Sequence, residues 1–314
     1  MRDPFSQVHP LNNFIYFLLV IGISMFSLHP YILALSFLGA LSYSSLLVGV
    51  KKSLLFQLKF IIPGMLVVAV VNPAFNHYGV TQLYRMENGN AITLEAIIIG
   101  LALALVFANT INWFTCYNQV MTSDKFIYLF GKLIPASSLI LSMAFRFVPK
   151  FTQQLAIVRN GQKSIGRDLS NGNFIEKIRR AFKIFSIMVT WALENAIETA
   201  DSMKARGYGL KMRTAFSLYR FDLRDGIILG YLLLTSLGCL WNFANQALYV
   251  SYNPQIIIHG WPLNWSSGIG TLSFFLLVSL PLFLRAWDAY KWSRIKVNQA
   301  TTLPNYFNQI GQKE

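Results

Sequence analysis

Long stretches without charge constrain this chain more than any other feature of its sequence. No Asp, Glu, Lys or Arg occurs in residues 14–50, 60–75, 96–123 or 226–284. The hydrocarbon core of a bilayer is about 30 Å thick, and an apolar helix of roughly 20 residues crosses it while satisfying its own backbone hydrogen bonds. The charge-free stretches therefore predict an all-α polytopic membrane protein.

We expect about six transmembrane helices. The first stretch is long enough for two, and we place the break at His29-Pro30 because proline removes a backbone donor and disfavours helix in the residue before it. The predicted spans cover residues 11–28, 31–50, 60–75, 94–117, 226–245 and 268–284.

The net charge of +14 is concentrated between the fourth and fifth spans. Residues 146–224 contain fifteen Lys or Arg against six Asp or Glu, and further basic residues lie at 51–59 and 285–296. Cytoplasmic loops of membrane proteins carry an excess of Lys and Arg, so these segments and both termini are expected in the cytoplasm. For a protein that spans a lipid bilayer, this rule explains the positive net charge, so no nucleic acid partner is needed to account for it.

These assignments divide the chain into an N-terminal membrane part of four spans, a cytoplasmic region, and a C-terminal membrane part with a tail. Their boundaries are 1–123, 124–224 and 225–314. The segment 133–145 is also apolar, but a crossing there would place the most basic stretch outside. We therefore predict a membrane-embedded or interfacial helix at 133–145 that does not cross.

Two long helices are predicted in the cytoplasmic region. The first starts at Arg146-Phe147-Val148-Pro149, because proline suits the first turn of a helix, and continues to about Gly166. The second runs from about Ala181 to Arg206 and repeats small or apolar residues every three or four positions. This face comprises Phe182, Phe185, Val189, Ala192, Ala196, Ala200 and Met203. Its small residues permit close approach of another helix.

The second helix ends in a sequence that fixes a cation at its tip. Lys204 and Arg206 complement the negative end of the helix dipole, and Gly207 can adopt the left-handed cap conformation. An isolated Arg-Gly pair at a helix end is also explained by an arginine that contacts lipid phosphate. The residues around Arg206 favour a more specific interpretation.

Residues 124–209 resemble the T-component family of energy-coupling factor (ECF) transporters, which includes the cobalt and nickel permease T subunits. The matching segments are Arg146–Pro149, Glu194–Ala196 and Ala200–Gly209. The family's first coupling helix usually closes with a similar Ala-Arg-Gly, but Ile165 occupies the position of the expected arginine. Lys163 and Arg167 are the candidates for the missing cation.

The resemblance implies a subunit of an ATP-driven uptake transporter in a bacterial inner membrane, with no catalytic activity of its own. Its implied partners are two cytoplasmic ABC ATPase subunits and a small membrane S component that binds a vitamin or a transition metal ion. The implied ATPase-coupling residues are Ala205, Arg206, Gly207, Lys163 and Arg167. Arg146 and Pro149 would start the first coupling helix, and the apolar face of the second helix would pack against the S component.

The sequence predicts no catalytic, metal or cofactor site. Gly131-Lys132 is not a phosphate-binding loop, because Leu133 replaces the required Ser or Thr. The four histidines are scattered without metal-ligand spacing. Cys116 and Cys239 both fall in predicted spans, so we expect buried free thiols.

Two other classes of membrane protein remain as alternatives. A stand-alone secondary transporter is also polytopic, although the uncharged spans argue against a proton relay and leave a facilitator of a neutral solute. A membrane enzyme would be expected to gather His, Asp or Glu at one membrane face, and the sequence shows no such cluster. Copurification with two ATPases separates a T component from both alternatives.

Overall fold

The fold is built almost entirely from helices. The structure is a computed structural model that describes residues 3–77, 79–85, 91–131, 135–167, 173–208, 210, 219–260, 262 and 264–310. A 3-10 turn at Phe5–Gln7 precedes the first α-helix. The helices are α1 (Pro10–Phe26), α2 (Pro30–Val48), α3 (Val50–Phe56), α4 (Ile62–Phe75), α5 (Leu94–Val120), α6 (Ser123–Gly131), α7 (Pro135–Ser164), α8 (Phe174–Ala205), α9 (Leu223–Ala244) and α10 (Trp265–Ile310).

Five helical segments are long and apolar enough to cross a membrane. They are Pro30–Val48, Val50–Phe75, Leu94–Val120, Leu223–Ala244 and Trp265–Arg294. This confirms the predicted all-α polytopic class. The first of the six expected spans is α1, which is apolar but has only 17 residues.

The chain divides into two units. Residues Met1–Thr122 and Tyr219–Glu314 form the first unit, and Ser123–Leu218 form the second unit. All five segments of spanning length belong to the first unit, whereas α6, α7 and α8 make up the helices of the second.

An aromatic core holds the first unit together. Its largest buried side chains include Phe5, Tyr16, Phe17, Tyr43, Trp113 and Phe274, each at most 1% exposed. Phe17 and Trp113 pack edge to face with ring centroids 6.4 Å apart, and the Trp113 indole donates a hydrogen bond of 2.9 Å to the Ser36 hydroxyl. Because lipid tails are as apolar as these side chains, close packing and such hydrogen bonds stabilise the helix contacts.

Close approach of α2 and α10 depends on Gly39. A methyl group at this position would collide with the Val278 side chain on α10. The absence of a side chain at Gly39 therefore allows the two helices to approach closely, as small residues commonly do in membrane proteins.

Histidine caps fix the starts of α1 and α2. The His9 Nδ1 accepts a hydrogen bond of 3.2 Å from the Leu11 amide, and the His29 Nδ1 accepts one of 3.3 Å from the Tyr31 amide. Each histidine is followed by a proline at the first helical position, where the missing N–H costs nothing. The predicted break before Pro30 is confirmed.

The third span starts earlier than expected. Helix α3 begins at Val50 and continues through a π-helical turn at Gln57–Ile61 into α4, so Lys51 and Lys59 lie on one helix rather than in a loop. Lysine is a good helix former, and both side chains are exposed. Gly49, with φ of 98°, ends α2 instead.

The π-helical turn lies beside a buried polar pair. The side-chain amides of Gln57 and Asn112 on α5 hydrogen-bond to each other and satisfy groups that are costly to bury alone. π-helical turns inside α-helices are usually single-turn bulges of this kind.

Two short hairpins are the only strands in the described residues. Strand β1 (Gln82–Arg85) pairs antiparallel with β2 (Ala91–Thr93) ahead of α5, and β3 (Val250–Ser251) pairs with β4 (Ile257–Ile258) between α9 and α10. The sequence did not indicate these strands. They lie in connections between helices and leave the fold class unchanged.

The two cysteines are free and buried, as expected. Cys116 lies on α5 and is fully buried, and Cys239 lies on α9 and is 2% exposed. Both belong to the aromatic core of the first unit.

Candidate functional site

The candidate site consists of the C-terminal ends of α7 and α8 together with one face of α8. The residues predicted to contact partners lie on these two helices or within three residues of their C-terminal ends. Gly209, the last residue of the matching motif, lies outside the described residues, as do residues 133 and 134 of the apolar segment.

Helix α7 differs from the prediction at its start. It begins at Pro135 and runs without a break to Ser164, so Arg146 and Pro149 lie inside the helix and do not start it. The expected separate helix at 133–145 is also wrong, because from Pro135 onward it is the first half of α7. Proline within a helix removes one backbone hydrogen bond and crowds the carbonyl four residues earlier. Helix α7 nevertheless continues through Pro149.

Helix α8 is longer than predicted at its start. It begins at Phe174, seven residues before Ala181, and ends at Ala205 with Arg206 as its C-cap. The added turns carry Glu176 and Arg180, whose side chains form an ion pair of 3.3 Å at the i, i+4 spacing that supports helices.

The two helices contact each other near their middles. The Lys150 ammonium donates a hydrogen bond of 2.5 Å to the Asn195 side-chain oxygen, and it lies 5.7 Å from the centroid of the Trp191 ring. The Phe151 and Trp191 rings pack edge to face at 5.3 Å. At 1.5 Å per residue, the C-terminal end of each helix lies about 20 Å along its axis from this contact. Beyond this contact, each helix therefore has a C-terminal arm of similar length.

The end of α8 is a complete Schellman cap. Gly207 has φ of 76°, and its amide donates to the Lys204 carbonyl at 2.9 Å. The Tyr208 amide donates to the Met203 carbonyl at 3.0 Å. These are the two bonds that define the motif. The prediction of a left-handed glycine at this helix end is confirmed, and the cap fixes the backbone that carries Arg206.

The end of α7 has the same backbone arrangement. Gly166 has φ of 75°, and its amide donates to the Lys163 carbonyl at 3.0 Å. The Arg167 amide donates to the Gln162 carbonyl at 2.9 Å. Ile165 and Arg206 therefore occupy equivalent C-cap positions, and Lys163 and Lys204 occupy equivalent positions two residues earlier.

Arg206 is exposed at the tip of its arm. Lys204 forms a loose ion pair of 4.0 Å with Asp201, but across the described segments the Arg206 guanidinium forms no hydrogen bond or ion pair. A guanidinium carries five donors in a planar fork that matches a carboxylate. The α8 tip can therefore bind an anionic group on another molecule with two parallel hydrogen bonds.

An apolar face of α8 is also exposed. It includes Phe182, Phe185 and Val189, which are 68%, 65% and 40% exposed. The small residues that follow on the same face, Ala196 and Ala200, are exposed as well. The face predicted for packing against another helix is therefore available along most of α8.

Helix α8 has a second, buried set of residues that was not predicted. Ile184 and Met188 are each 5% exposed, and Trp191 and Asn195 of the α7 contact continue their spacing along the helix. Helical periodicity places these residues on a different side of α8 from Phe182 and Phe185. The signal was present as a second i, i+4 series beside the one that was recognised.

The described residues hold no group of three or more metal-ligating side chains. The candidate site is a set of exposed surfaces on two helices. These surfaces comprise Arg206 at the α8 tip, Ile165 and Arg167 at the α7 tip, and a long apolar face of α8.

Comparison with known proteins gives partial matches. A Streptococcus equi protein named energy-coupling factor transporter transmembrane protein EcfT is 28% identical over 221 residues, which cover 66% of this chain and 78% of the relative. The EcfT of Lactococcus lactis is 29% identical over 106 residues, covering 33% and 40%. A Mycoplasma pneumoniae protein, the uncharacterized MG181 homolog, is 30% identical over 156 residues, covering 46% and 36%.

No protein-family model matches the chain. In the Mycoplasma and Lactococcus matches the chain spans about two fifths or less of the relative's length. Together with the five helices of spanning length, these relatives indicate a multi-pass membrane protein of bacterial type that is similar to the transmembrane proteins of ECF transporters.

Proposed function

We propose that this chain is the T component of an ECF-type ABC uptake transporter, a scaffold that couples the motion of two cytoplasmic ATPase subunits to a membrane S component. The observation that carries the proposal is the end of α8, where a Schellman cap holds an exposed Arg206 on a long helical arm. Similarity to several EcfT proteins supports it. The chain itself is non-catalytic in this proposal, and ATP hydrolysis belongs to the partners.

Arg206 acts as the ionic anchor to one ATPase. Its guanidinium forms paired hydrogen bonds with a carboxylate in a groove of that subunit. Because the cap fixes the backbone on both sides of Arg206, displacement of the ATPase displaces the whole α8 arm instead of bending its end. The contact around Lys150 and Trp191 then transmits the displacement to α7.

The apolar face of α8 receives the S component. Its large residues, such as Phe182 and Phe185, lie toward the start of the helix, and its alanines lie toward the tip. Small residues let helices approach closely, and exposed aromatic side chains supply contact area. In this proposal the S component binds the transported vitamin or transition metal ion.

The orientation follows from the charges. The basic second unit and both termini lie in the cytoplasm, and the β3–β4 hairpin lies outside. A cysteine at Asn253 should react with an impermeant thiol reagent added to intact cells, whereas a cysteine at Ser164 should react only after permeabilisation. Cys116 and Cys239 are buried, so the unaltered chain provides the background. External labelling at Ser164 would overturn the orientation.

Copurification tests the proposal against a stand-alone secondary transporter or facilitator. The full chain, extracted in mild detergent with its associated proteins, should carry two ATP-binding subunits and one small membrane protein, and the complex should hydrolyse ATP. The isolated chain should bind no nucleotide. Transport by the isolated chain in liposomes without ATPases would favour the facilitator and contradict the proposal.

A further inference from the structure

The two helix tips have the same backbone conformation, but the arginine and the large side chain lie on opposite sides of the glycine in the two tips. Around the left-handed glycine of α7 the sequence is Ile165-Gly166-Arg167, and around that of α8 it is Arg206-Gly207-Tyr208. In both tips the first residue is the C-cap and the third donates the long hydrogen bond that closes the motif. Each tip thus has one guanidinium and one large side chain with an apolar body, placed on opposite sides of the glycine.

Within the described residues, burial does not explain the isoleucine at position 165. It is 61% exposed at the end of a polar segment, since the residues from Arg159 to Ser164 include no large apolar side chain. Neither helix propensity nor the cap requires isoleucine there, because β-branched residues are only average helix formers and the glycine supplies the left-handed conformation. At the α8 tip the large side chain is Tyr208, which lies on the far side of the glycine and is 50% exposed.

The cations of the α7 tip flank this isoleucine. Arg167 lies beyond the glycine, and Lys163 lies two residues before the C-cap. Both side chains are exposed, as is Ile165 itself. A partner surface that complements this tip needs an apolar pocket opposite Ile165 and negative charge around it.

We propose that the α7 tip binds its ATPase through Ile165, which enters an apolar socket, with Arg167 paired to a carboxylate at the socket's edge. The order of apolar and acidic contacts is the reverse of that at the α8 tip. This inference rests on the proposed function and specifies it, because it assigns unlike contact chemistry to the two arms. Arg167 takes the part at α7 that Arg206 takes at α8, from the opposite side of the glycine.

Site-specific cross-linking at the tip tests the inference. A photoreactive benzoylphenylalanine replaces Ser164 in the full chain, which is coexpressed with the ATP-binding subunits encoded in the same genome. Cross-linked subunits are identified by peptides that contain their phosphate-binding loop. The chain with the probe at position 164 and no other change is the reference. Adding Ile165→Ser should lower the yield of cross-linked ATP-binding subunit about tenfold, whereas Ile165→Leu, which keeps an apolar side chain, should retain most of it. The same probe at Thr190, on the exposed polar side of α8, should give no such product.

A double substitution distinguishes reversed order from a common binding mode. Ile165→Arg with Arg167→Tyr gives the α7 tip the side-chain order of α8, and we expect about a tenfold loss of cross-linking. A yield equal to or above the reference would overturn the inference, as would an unchanged yield with Ile165→Ser or cross-linking of the Ser164 probe to lipid alone. A probe at Lys204 separates the two claims. Cross-linking there but not at Ser164 overturns the inference and leaves the proposed function standing, whereas failure at both sites contradicts both.

Discussion

The first and second units differ in how much buried core each contains. In the first unit, aromatic side chains such as Phe17 and Trp113 are buried against other helices of the same unit. In the second unit, the buried side chains among the described residues are Lys125, Ile184 and Met188, whereas Phe182 and Phe185 are largely exposed. The first unit thus contains an apolar core of its own besides the apolar surface that it exposes, for example at Leu66 and Phe75, whereas the second unit buries few side chains and exposes an apolar face on α8.

This difference predicts that substitutions in the two units have separable consequences. Loss of a core side chain in the first unit should reduce the stability of the protein whether or not its partners are present. Loss of an exposed side chain on α8 should leave stability intact and reduce the recovery of a partner. A change in the second unit that unfolds the chain, or a core change that affects only a partner, would break the comparison.

The largest effect on stability is expected at Trp113. Trp113→Ala leaves a cavity in the core and the Ser36 hydroxyl without its donor, and truncation of a buried aromatic residue costs about 3–5 kcal/mol. Unfolding of the purified protein in increasing sodium dodecyl sulfate measures this. Phe114→Ala, at the next residue but 48% exposed, is the matched control and should cost far less. Equal losses from both variants would contradict the assignment of the core.

A smaller effect, confined to one partner, is expected on the apolar face of α8. Phe182→Ser combined with Phe185→Ser removes two exposed aromatic side chains, and aromatic contacts commonly dominate interfaces. Recovery of the small membrane subunit should fall on the order of tenfold or more, the change that 1.4 kcal/mol produces. ATPase recovery and resistance to sodium dodecyl sulfate should be unchanged. Lys183→Ser, on the polar side of the same turn, is the control and should leave both recoveries intact.

The smallest effect is a pH dependence in the first unit. His29 is buried, and its Nε2 lies 3.1 Å from the His259 carbonyl while its Nδ1 accepts from the Tyr31 amide. Burial lowers the pKa of His29 below its usual value of 6.5. Stability is therefore complete above about pH 6.5 and declines as the pH falls toward the lower folded-state pKa, because the unfolded chain takes up the proton first.

Substitution of the cap separates this pH effect from others. Protonated Nδ1 could no longer accept the hydrogen bond that caps α2, and loss of an N-cap lowers stability by about 1 kcal/mol. His29→Asn keeps a side-chain acceptor that does not titrate, so the decline in stability between pH 7 and pH 5.5 should be reduced in this variant. The same decline in both proteins would show that another group is responsible.

The sequence allowed the first unit to be predicted better than the second. A long segment without charge has few explanations other than a membrane span, and Pro30 favours a break in the helix before it. The predicted fold class and the boundary at His29-Pro30 were both confirmed. The lysines of α3 were predicted to lie in a loop, because charged residues were taken to mark the ends of spans. Exposed lysines also occur within helices, as they do here, so charge alone does not locate the end of a span.

In the second unit, local signals competed with one another. Pro149 favours a helix start, but the apolar residues before it are themselves helical and continuous with α7. Helix α8 carries two apolar series, and the sequence alone did not reveal that Ile184 and Met188 are buried while Phe182 and Phe185 are exposed. The glycines were the reliable signals, since Gly207 requires a left-handed conformation that few other residues adopt.

The anchoring role of Arg206 is tested most directly by recovery of the ATPases with Arg206→Glu. Removal of one partner from a desolvated, hydrogen-bonded charge pair costs about 2–5 kcal/mol, and a glutamate adds repulsion. At matched levels of the chain in the membrane, Arg206→Glu should abolish recovery of the ATP-binding subunits, whereas Lys163→Ala and Arg167→Ala should be milder and the Ser164 labelling pattern should not change. Undiminished recovery with Arg206→Glu would contradict the account of this helix tip as the anchor.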